Sequence, residues 1–352
     1  MSADFGRTLA RLIAREPLGA EGARQAFDAI FAGAWTPVQI GAFLVALRMA
    51  GESADAIVGA AGAMRAAMSA VDHDFPLVVD TCGTGGDGAH TLNISTGAAV
   101  VVAACGLPVA KHGNRSASSR CGSADVFEAL GVPLDVPVGR QGEVLREAGI
   151  AFLFAQAHHP AMRHAGPVRA QLGTRTIFNV LGPIANPARA THQLVGVYAD
   201  GLRTVVADAL GRLGGARAWV VHSEDGLDEV SPCAPTRVSE LTPGGEVRER
   251  VVSPEDFGIA RIPREALAGS DAASNARELR AILAGEGHAA REAVVLNAAA
   301  ALAVATGDDL RACAQRARDA IDRGAAHDTL VRWTAAALRA RDAEAARESR
   351  AS

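Results

Sequence analysis

The sequence predicts an α/β protein in which a small all-helical domain accompanies a larger domain with a mainly parallel central sheet. Three observations lead to this prediction. Residues 1–72 show helical periodicity, and no segment among them alternates like a strand. From about residue 76, short apolar segments alternate with helical ones, which is typical of a parallel sheet covered on both faces. The length of 352 residues exceeds what one hydrophobic core usually supports, so two domains are expected.

The N-terminal block is predicted to consist of successive helices. The first begins near Phe5, where apolar residues share one helical face. Thr36 followed by Pro37 is a favourable helix start, and Ser53 caps another helix that runs to about Met68. We therefore assign residues 1–72 to the helical domain, and we expect a later excursion at about 168–190 to complete it.

The α/β domain is predicted to occupy residues 73–167 and 191–345. Its strands are expected at 77–79, 107–110, 151–154, 194–198 and 218–221, with helices at 96–105 and 123–130 between the first of them. Gly131 is a suitable C-terminal stop for the second of these helices. Helices are expected again from residue 275 onward, followed by a frayed, charged tail at 346–352.

The composition excludes several classes of protein. With 35 basic and 39 acidic residues the net charge is −4, which does not provide the basic surface that nucleic-acid binding needs. The five cysteines are scattered and form no CxxC pair, so we expect a reducing cytoplasmic compartment rather than a zinc or disulfide framework. No apolar segment is long enough to span a bilayer, and the N-terminal residues lack a signal-peptide core.

A glycine-rich loop, residues 80–88, directly follows the first predicted strand. Its glycines allow main-chain N–H groups to converge on an anion. The loop formally satisfies GxGxxG, but Lys111 and His112 stand near the position where a dinucleotide fold needs an acidic residue. It also lacks the Lys-Ser/Thr pair of a Walker A loop. The sequence therefore predicts a phosphate-binding loop of another type, with a plain tight turn as the alternative.

Polar residues stand directly before the helix that follows this loop. The turn 93–96 reads Asn-Ile-Ser-Thr, and its side chains are candidates for the helix N-cap. A helix N-terminus also attracts anions, and the hydroxyl of Ser95 is a possible magnesium ligand. Capping and phosphate binding both remain open for this turn, which can do both.

Lys111 is the one lysine among 35 basic residues, and it opens a donor-rich loop at 111–119. A compact ammonium suits a phosphate oxygen in a tight space where the flat arginine fork does not fit. Arg120 and Ser123 follow the loop. Because the loop comes after a neighbouring strand, we expect it at the same edge of the sheet as the glycine loop. A solvated surface loop is the alternative.

Two further groups bear on metal and substrate binding. Asp228 and Glu229 follow the strand predicted at 218–221; adjacent carboxylates are usually solvated, but beside phosphate loops they are natural magnesium ligands. Histidines at 158, 159 and 164 invite a transition-metal interpretation, but the spacing of five residues between His159 and His164 is poor for one helical face. Arg169 can pair with a substrate carboxylate. Together the motifs predict a site for a polyphosphate, magnesium and a second, carboxylate-bearing substrate.

Five segments in this order resemble the anthranilate phosphoribosyltransferase family. They are residues 83–87, 93–96, 111–115, 175–183 and 228–231, and the match extends from the N-terminal helices to about Leu302. The resemblance implies a nucleoside phosphorylase/phosphoribosyltransferase-like fold and a homodimer associating through the helical domains. It also implies transfer of a phosphoribosyl group from 5-phosphoribosyl 1-diphosphate to the amine of anthranilate, a step of L-tryptophan biosynthesis.

The same resemblance implies roles for individual residues. The phosphoribosyl donor would be held by Gly83, Gly86, Asp87, Thr91, Asn93, Ile94, Ser95, Thr96, Lys111, His112, Gly113, Asn114, Arg115, Ser116, Ala117, Ser118, Ser119 and Ser123. Anthranilate would contact Gly83, Asn114 and, through its carboxylate, Arg169. Two Mg²⁺ ions per subunit would bind, one at Ser95 and the other at Asp228 with Glu229. The catalytic residues would be Lys111, His112, Asp228 and Glu229, with Lys111 and magnesium stabilising charge on the leaving diphosphate.

Some points stay open. His112 is a candidate general base, but an ordered water or the departing diphosphate can serve instead. Gln156 and Ser270 stand where many relatives have proline and glycine, and Cys82 occupies a variable position; none has a central role. The alternatives are a pyrimidine-nucleoside phosphorylase-like enzyme, whose phosphate signature differs, and a non-catalytic nucleic-acid-binding relative.

Overall fold

The computed structural model describes residues 4–116 and 121–351. The predicted donor-binding residues Ala117, Ser118 and Ser119 lie outside this part of the chain. In the described part, no helix is both long enough and apolar enough to cross a membrane.

The chain alternates helices and strands after an all-helical start. The helices are α1 (Phe5–Ile13), α2 (Ala20–Phe31), α3 (Pro37–Ala50), α4 (Ala54–Ala67), α5 (Ile94–Ala104), α6 (Ser123–Leu130), α7 (Gln141–Ala148), α8 (Ala155–His158), α9 (Gly166–Leu172), α10 (Phe178–Ile184), α11 (Arg203–Arg212), α12 (Ala272–Leu283), α13 (Arg291–Thr306), α14 (Leu310–Asp322) and α15 (Ala325–Ala351). The strands are β1 (Val79–Asp80), β2 (Val109–Gly113), β3 (Ile150–Phe154), β4 (His192–Gly196), β5 (Arg217–Ser223), β6 (Thr236–Leu241) and β7 (Val247–Val252).

The helix starts expected at Thr36 and Ser53 are confirmed. Thr36 and Gln39 form a reciprocal capping box, in which the Thr36 N–H donates to Gln39 Oε1 at 2.9 Å and Thr36 Oγ1 accepts from the Gln39 N–H at 3.4 Å. Ser53 Oγ accepts from the Ala56 N–H at 3.2 Å at the start of α4. Each cap satisfies an N–H group that a helix start otherwise leaves unpaired.

The sheet has seven strands in the order β3-β2-β1-β4-β5-β6-β7. The first five in this order are parallel, as predicted, with bounds displaced by a few residues. The antiparallel hairpin β6–β7 at the edge was not predicted. Because β1 lies centrally between β2 and β4, the loops after these strands leave the sheet at one edge, where ligands bind in such folds.

Two hydrophobic clusters hold the fold together. One surrounds α5 and α13 and includes residues of β2 and β3. The other joins α2–α4 to α9–α10 and to the opposite face of β4 and β5, and in it Phe178 packs edge-on against Phe27 at 5.4 Å between ring centroids. The excursion after β3 therefore packs on the N-terminal helices. The exact domain boundaries, and the fraying of residues 346–352 at the end of α15, stay predictions.

Candidate active site

The glycine loop after β1 is fastened to the end of β4. The Thr84 N–H donates to the Gly196 carbonyl at 2.8 Å, and the Tyr198 N–H donates to Thr84 Oγ1 at 3.0 Å. Gly83 is confined: a Cβ there would stand 3.2 Å from the Gly196 oxygen and 3.3 Å from Asp228 Oδ2. Gly86 has a φ of +80°, a conformation that side chains disfavour. The loop thus needs glycine both for its turns and for its closeness to neighbouring backbone.

Three carboxylates gather beneath this loop. The Asp228 N–H contacts Asp87 Oδ2 at 3.4 Å, and Glu229 Oε1 accepts from the Ser95 N–H at 3.1 Å. Burial, together with the charges of Asp87 and Glu229, raises the pKa of Asp228 well above its ordinary value. Burial also raises the pKa of Glu229 to about 7, although Lys111 and the hydrogen bonds from Ser95 oppose the rise. The structure therefore brings the predicted metal ligands together and adds Asp87.

This arrangement fits a hard divalent cation in chemistry. The charges of Asp87 and Glu229 contribute to the raised pKa of Asp228, so nearby protein groups only partly compensate the negative charge here, and a cation would relieve it. Among the described residues, no group of three or more His, Cys, Asp and Glu side chains is arranged to hold a metal unaided. Magnesium usually takes only one or two carboxylates and completes its shell with water and substrate phosphates, so Asp228 and Glu229 would be enough protein carboxylates for it.

Lys111 lies in β2 rather than in a loop, and the sequence-based placement was wrong on this point. Its side chain is only 2% exposed, and Nζ donates to both the carbonyl and the hydroxyl oxygen of Thr81 at 3.1 Å. Its charge lowers the pKa values of Asp80 and Glu229, which burial raises. The ammonium therefore lies beneath the acidic group and compensates part of its charge.

His112, the candidate general base, is also buried in β2. Its Nδ1 lies 2.8 Å from the Gly182 carbonyl oxygen, and its Nε2 lies 3.3 Å from Nε2 of His159. A carbonyl can only accept, so Nδ1 of neutral His112 carries the proton and Nε2 accepts from His159. Burial lowers the pKa of both rings, that of His159 to about 4. The acceptor nitrogen of His112 is thus already occupied.

The segment after β2 folds tightly onto the start of α6. A Cβ on Gly113 would overlap Ser123 Oγ at 2.2 Å, so these two predicted donor-binding residues touch. Asn114 Oδ1 accepts from the Arg115 N–H at 2.8 Å. The Arg115 guanidinium pairs with Asp125 at 2.7 Å and Glu128 at 2.9 Å, so its charge is directed to α6. Ser116 contributes its N–H to Asp125 Oδ2 at 3.4 Å.

The turn before α5 is held by residues that lie far away along the chain. Thr91 pairs with Ala268 in an isolated bridge, and Asn93 Oδ1 accepts from Asn275 Nδ2 at 2.9 Å. The side chains of Ile94 and Thr96 are buried, so these two residues can offer a ligand only main-chain groups. Ser95, the third residue of the turn, has a half-buried side chain that lies beside Glu229.

Arg169 lies on α9, within the helical cluster. Its guanidinium carbon stands 5.2 Å from the centroid of the Phe178 ring, and burial lowers its pKa. This contact is with the helical cluster rather than with the glycine loop. Arg175, in the linker between α9 and α10, does reach that loop: its Nη2 donates to the Gly86 carbonyl and its guanidinium covers the Tyr198 ring.

Sequence reasoning missed three participants. Asp87 was assigned to the donor only, although an acid in a glycine loop that faces the Asp228 strand end could have suggested the metal group. Asn275 and Arg175 lie far from the loops along the chain, and no local pattern connects them to residues 93 and 86. Their roles depend on tertiary contacts.

Comparisons with known proteins match both domains of the chain. Residues 76–327 match the α/β domain and residues 7–68 the helical bundle domain of a glycosyl transferase family. The chain is 51% identical to the anthranilate phosphoribosyltransferase of Myxococcus xanthus, with 92% of this chain and 96% of the relative covered. It is 50% identical to that of Rhodospirillum rubrum, with 94% and 95% covered.

Solved structures show the same fold. The crystal structure of anthranilate phosphoribosyltransferase from Thermus thermophilus superposes with a TM-score of 0.89 at 42% identity, covering 94% of this chain and 99% of that one. The Saccharomyces cerevisiae enzyme in complex with PRPP and Mg superposes with a TM-score of 0.88 at 27% identity, covering 95% and 98%.

Proposed function

The chain belongs to the anthranilate phosphoribosyltransferase family, and on that premise we propose how its own residues perform the reaction. The enzyme transfers the phosphoribosyl group of 5-phosphoribosyl 1-diphosphate to the amine of anthranilate, giving N-(5-phosphoribosyl)anthranilate and diphosphate in L-tryptophan biosynthesis. The observation that carries this proposal is the meeting of the glycine loop, the turn before α5 and the Asp228–Glu229 pair at one edge of the sheet.

The donor would lie across this edge. The N–H groups of the glycine loop provide donors for its phosphates. The start of α5 lies beside this loop, where the positive end of the helix favours an anion. Gly83 packs against the Gly196 carbonyl and Asp228, and its lack of a side chain would let the ribosyl end approach the loop backbone closely. The segment 113–116 and Ser123 would enclose the diphosphate from the other side.

Magnesium would be held by Ser95, Asp228 and Glu229, and we propose two ions per subunit. The bound cation supplies positive charge where the diphosphate leaves the ribose. Lys111 balances the acidic residues from below, because its ammonium lies buried against Thr81 and lowers the pKa values of Asp80 and Glu229. Its contribution to the leaving group is therefore through the field of the site rather than by direct contact.

Anthranilate would approach from the helical cluster. Arg169 would bind its carboxylate, while Asn114 and Gly83 line the path to the anomeric carbon. Attack there with inversion expels diphosphate, and holding both substrates in line supplies much of the rate enhancement. The amine's proton would pass to the departing diphosphate or to water, because the His112 acceptor nitrogen already takes a hydrogen bond from His159.

A direct assay tests this function. Purified protein with 5-phosphoribosyl 1-diphosphate, Mg²⁺ and anthranilate should release diphosphate and form phosphoribosylanthranilate, both measured by chromatography. Thymidine with inorganic phosphate should give no thymine. Phosphorolysis without the first reaction would reinstate the pyrimidine-nucleoside phosphorylase alternative, and the absence of both activities would refute the proposal.

We further propose a homodimer and a cytoplasmic enzyme. Apolar side chains are exposed on α1 and α3, which pack together: Ile13 is 70%, Val38 82% and Met49 71% exposed. Val38 and Met49 lie eleven residues apart on one face of α3, and exposed apolar side chains grouped in this way usually mark an interface. Among the described residues, Cys82, Cys105, Cys233 and Cys313 are free thiols, which suits a reducing compartment.

A further inference from the structure

Arg175 connects three separate segments at the mouth of the site. It belongs to the linker between α9 and α10, yet its Nη2 donates to the carbonyl of Gly86 in the glycine loop. The face of the same guanidinium lies over the Tyr198 ring, with 4.3 Å from its carbon to the ring centroid. Tyr198 in turn donates its N–H to Thr84 of the glycine loop at 3.0 Å. The loop is thereby held from two sides.

Only a planar cation can make both contacts of Arg175 together. A guanidinium stacks through its face and donates hydrogen bonds through its edge, in perpendicular directions. An ammonium has no such division between face and edge. The two contacts of Arg175 therefore require an arginine, whereas the buried position 111 holds a compact ammonium.

The base of Arg175 is firmly anchored. Its neighbours Thr176, Ile177 and Phe178 are nearly completely buried in the helical cluster, and the Thr176 N–H donates to Asn179 Oδ1 at 3.0 Å. Phe178 also carries Arg169 over its ring. The arginine that reaches the donor loop and the arginine expected to bind anthranilate thus start from the same packed segment.

We propose that Arg175 is a positioning residue that fixes the glycine loop, and hence its phosphate-binding N–H groups, relative to the segment carrying Arg169. This inference rests on the proposed function and extends it. Gly86 has positive φ and no side chain, so the loop has little intrinsic preference for one carbonyl direction. The hydrogen bond from Arg175 selects that direction before the donor arrives.

The alternative role is a direct contact between the exposed Arg175 charge and a donor phosphate. The two roles predict different effects of replacing Arg175 by lysine. Arg175→Lys keeps the charge and would preserve most of a direct phosphate contact. Under the positioning role it should behave like Arg175→Ala, because the stacked, edge-donating geometry is lost.

The first test measures the loop without substrate. Hydrogen–deuterium exchange of amides 84–89 should become at least about tenfold faster in Arg175→Ala and in Tyr198→Leu, since local opening requires loss of these contacts. Tyr198→Phe keeps the ring and should exchange like the wild type. Arg323→Ala, which removes an exposed arginine at the distant end of α14, is the charge-matched control and should also be unchanged.

The second test uses steady-state kinetics with both substrates. Arg175→Ala, Arg175→Lys and Tyr198→Leu should each raise the donor KM about tenfold, with a smaller effect on kcat and on the anthranilate KM. The double variant Arg175→Ala/Tyr198→Leu should be no worse than the more affected single variant, because both remove one coupled contact.

Three results would overturn the proposal: unchanged exchange in Arg175→Ala, additive effects of the two substitutions, or a lysine variant with the wild-type donor KM. If the wild-type protein itself forms no phosphoribosylanthranilate, the proposed function fails instead. In that case the exchange measurement still decides whether Arg175 holds the loop.

Discussion

A single retained lysine proves to be an interior residue. The expectation that Lys111 occupies a tight space holds, but the space is the floor of the site between Thr81 and the buried acids. Arg at this position is longer and wider, and inserting extra atoms into a packed interior costs about 1–3 kcal/mol.

Lys111→Arg should therefore lower both stability and turnover despite keeping the charge. The denaturant midpoint and kcat/KM for the donor measure the two effects. Arg24→Lys, an exposed exchange on α2, is the control and should change neither. Wild-type values for both quantities in Lys111→Arg would contradict the idea that the cavity admits only an ammonium.

The charged form of Asp228 lowers the stability of the folded protein. Burial and the neighbouring acids raise its pKa, which means that the folded state disfavours its charge. Asp228→Asn should lower turnover at saturating Mg²⁺ by at least about 100-fold. In the metal-free protein it should leave the melting temperature equal or higher, because repulsion with Asp87 and Glu229 is removed.

Asp225 provides the contrast three residues earlier. It accepts the Ser231 hydroxyl at 2.8 Å and lies 3.6 Å from Arg264, so Asp225→Asn should lower the melting temperature. Calorimetry in chelator with parallel turnover assays separates the two patterns. A clear loss of stability in metal-free Asp228→Asn would show that this side chain serves the fold.

Arg169→Ala should affect the acceptor more than the donor. Its guanidinium is half-buried over Phe178 and would gain a carboxylate partner when anthranilate binds. Removing it should therefore weaken the binding of anthranilate. We expect the anthranilate KM to rise about tenfold or more and the donor KM to change by less than about threefold. Arg163→Ala, an exposed position between α8 and α9, is the control. A larger effect on the donor KM would reverse the assignment.

At the scale of elements, the sequence predicts what local patterns encode. The parallel strands were found because each is a short apolar run next to a glycine or a helix start, and the caps at Thr36 and Ser53 have side-chain signatures. The hairpin β6–β7 was missed because β7 reads Val-Arg-Glu-Arg-Val-Val and is mostly exposed. Its turn residues, Pro243 to Gly245, were the available signal.

In the candidate site, too, some residues could be predicted from local sequence patterns and others could not. Gly83, Ser95, Asp228 and Glu229 could be brought together from sequence because each follows a strand at the same sheet edge, and the structure shows them in contact. The burial of His112 against His159 could not be predicted, since it depends on the excursion returning to the sheet.

The close packing of α4 on α2 also requires a glycine, Gly59, which has no side chain. A Cβ on Gly59 in α4 would stand 2.1 Å from the Ala20 carbonyl oxygen and 2.8 Å from the Arg24 nitrogen, both backbone atoms of α2. Gly59→Ala should therefore destabilise the protein by about 1–3 kcal/mol, because the helices must separate.

Gly62→Ala, three residues later in α4, is the matched control. Its Cβ would meet the end of the flexible Arg24 side chain at 3.2 Å, and alanine favours a helix interior by up to about 1 kcal/mol. The stability of Gly62→Ala in urea should be equal to or higher than that of the wild type. Equal stability of Gly59→Ala and Gly62→Ala would mean that α2 and α4 adjust without cost.

For the whole molecule, the helical cluster links substrate binding to assembly. It carries Arg169, the proposed anthranilate-binding residue, and anchors the segment of Arg175, which reaches the glycine loop; α1 and α3 expose Ile13, Val38 and Met49. Because the proposed interface lies on α1 and α3 whereas the catalytic loops follow strands of the sheet, the proposed dimer should stabilise the helical domain rather than complete the chemistry.

Substitution of the exposed apolar face tests the dimer. Val38→Glu/Met49→Glu places two charges where burial between subunits would be costly, so sedimentation equilibrium should change from dimer to monomer. Val331→Glu removes a similarly exposed valine (55%) on α15, outside the proposed face, and should remain dimeric. The monomeric variant should retain turnover at 25 °C within about threefold but melt at a lower temperature, since dissociation removes the stabilisation that mass action provides. A wild-type monomer, or a dimer that persists after both substitutions, would exclude this face as the interface.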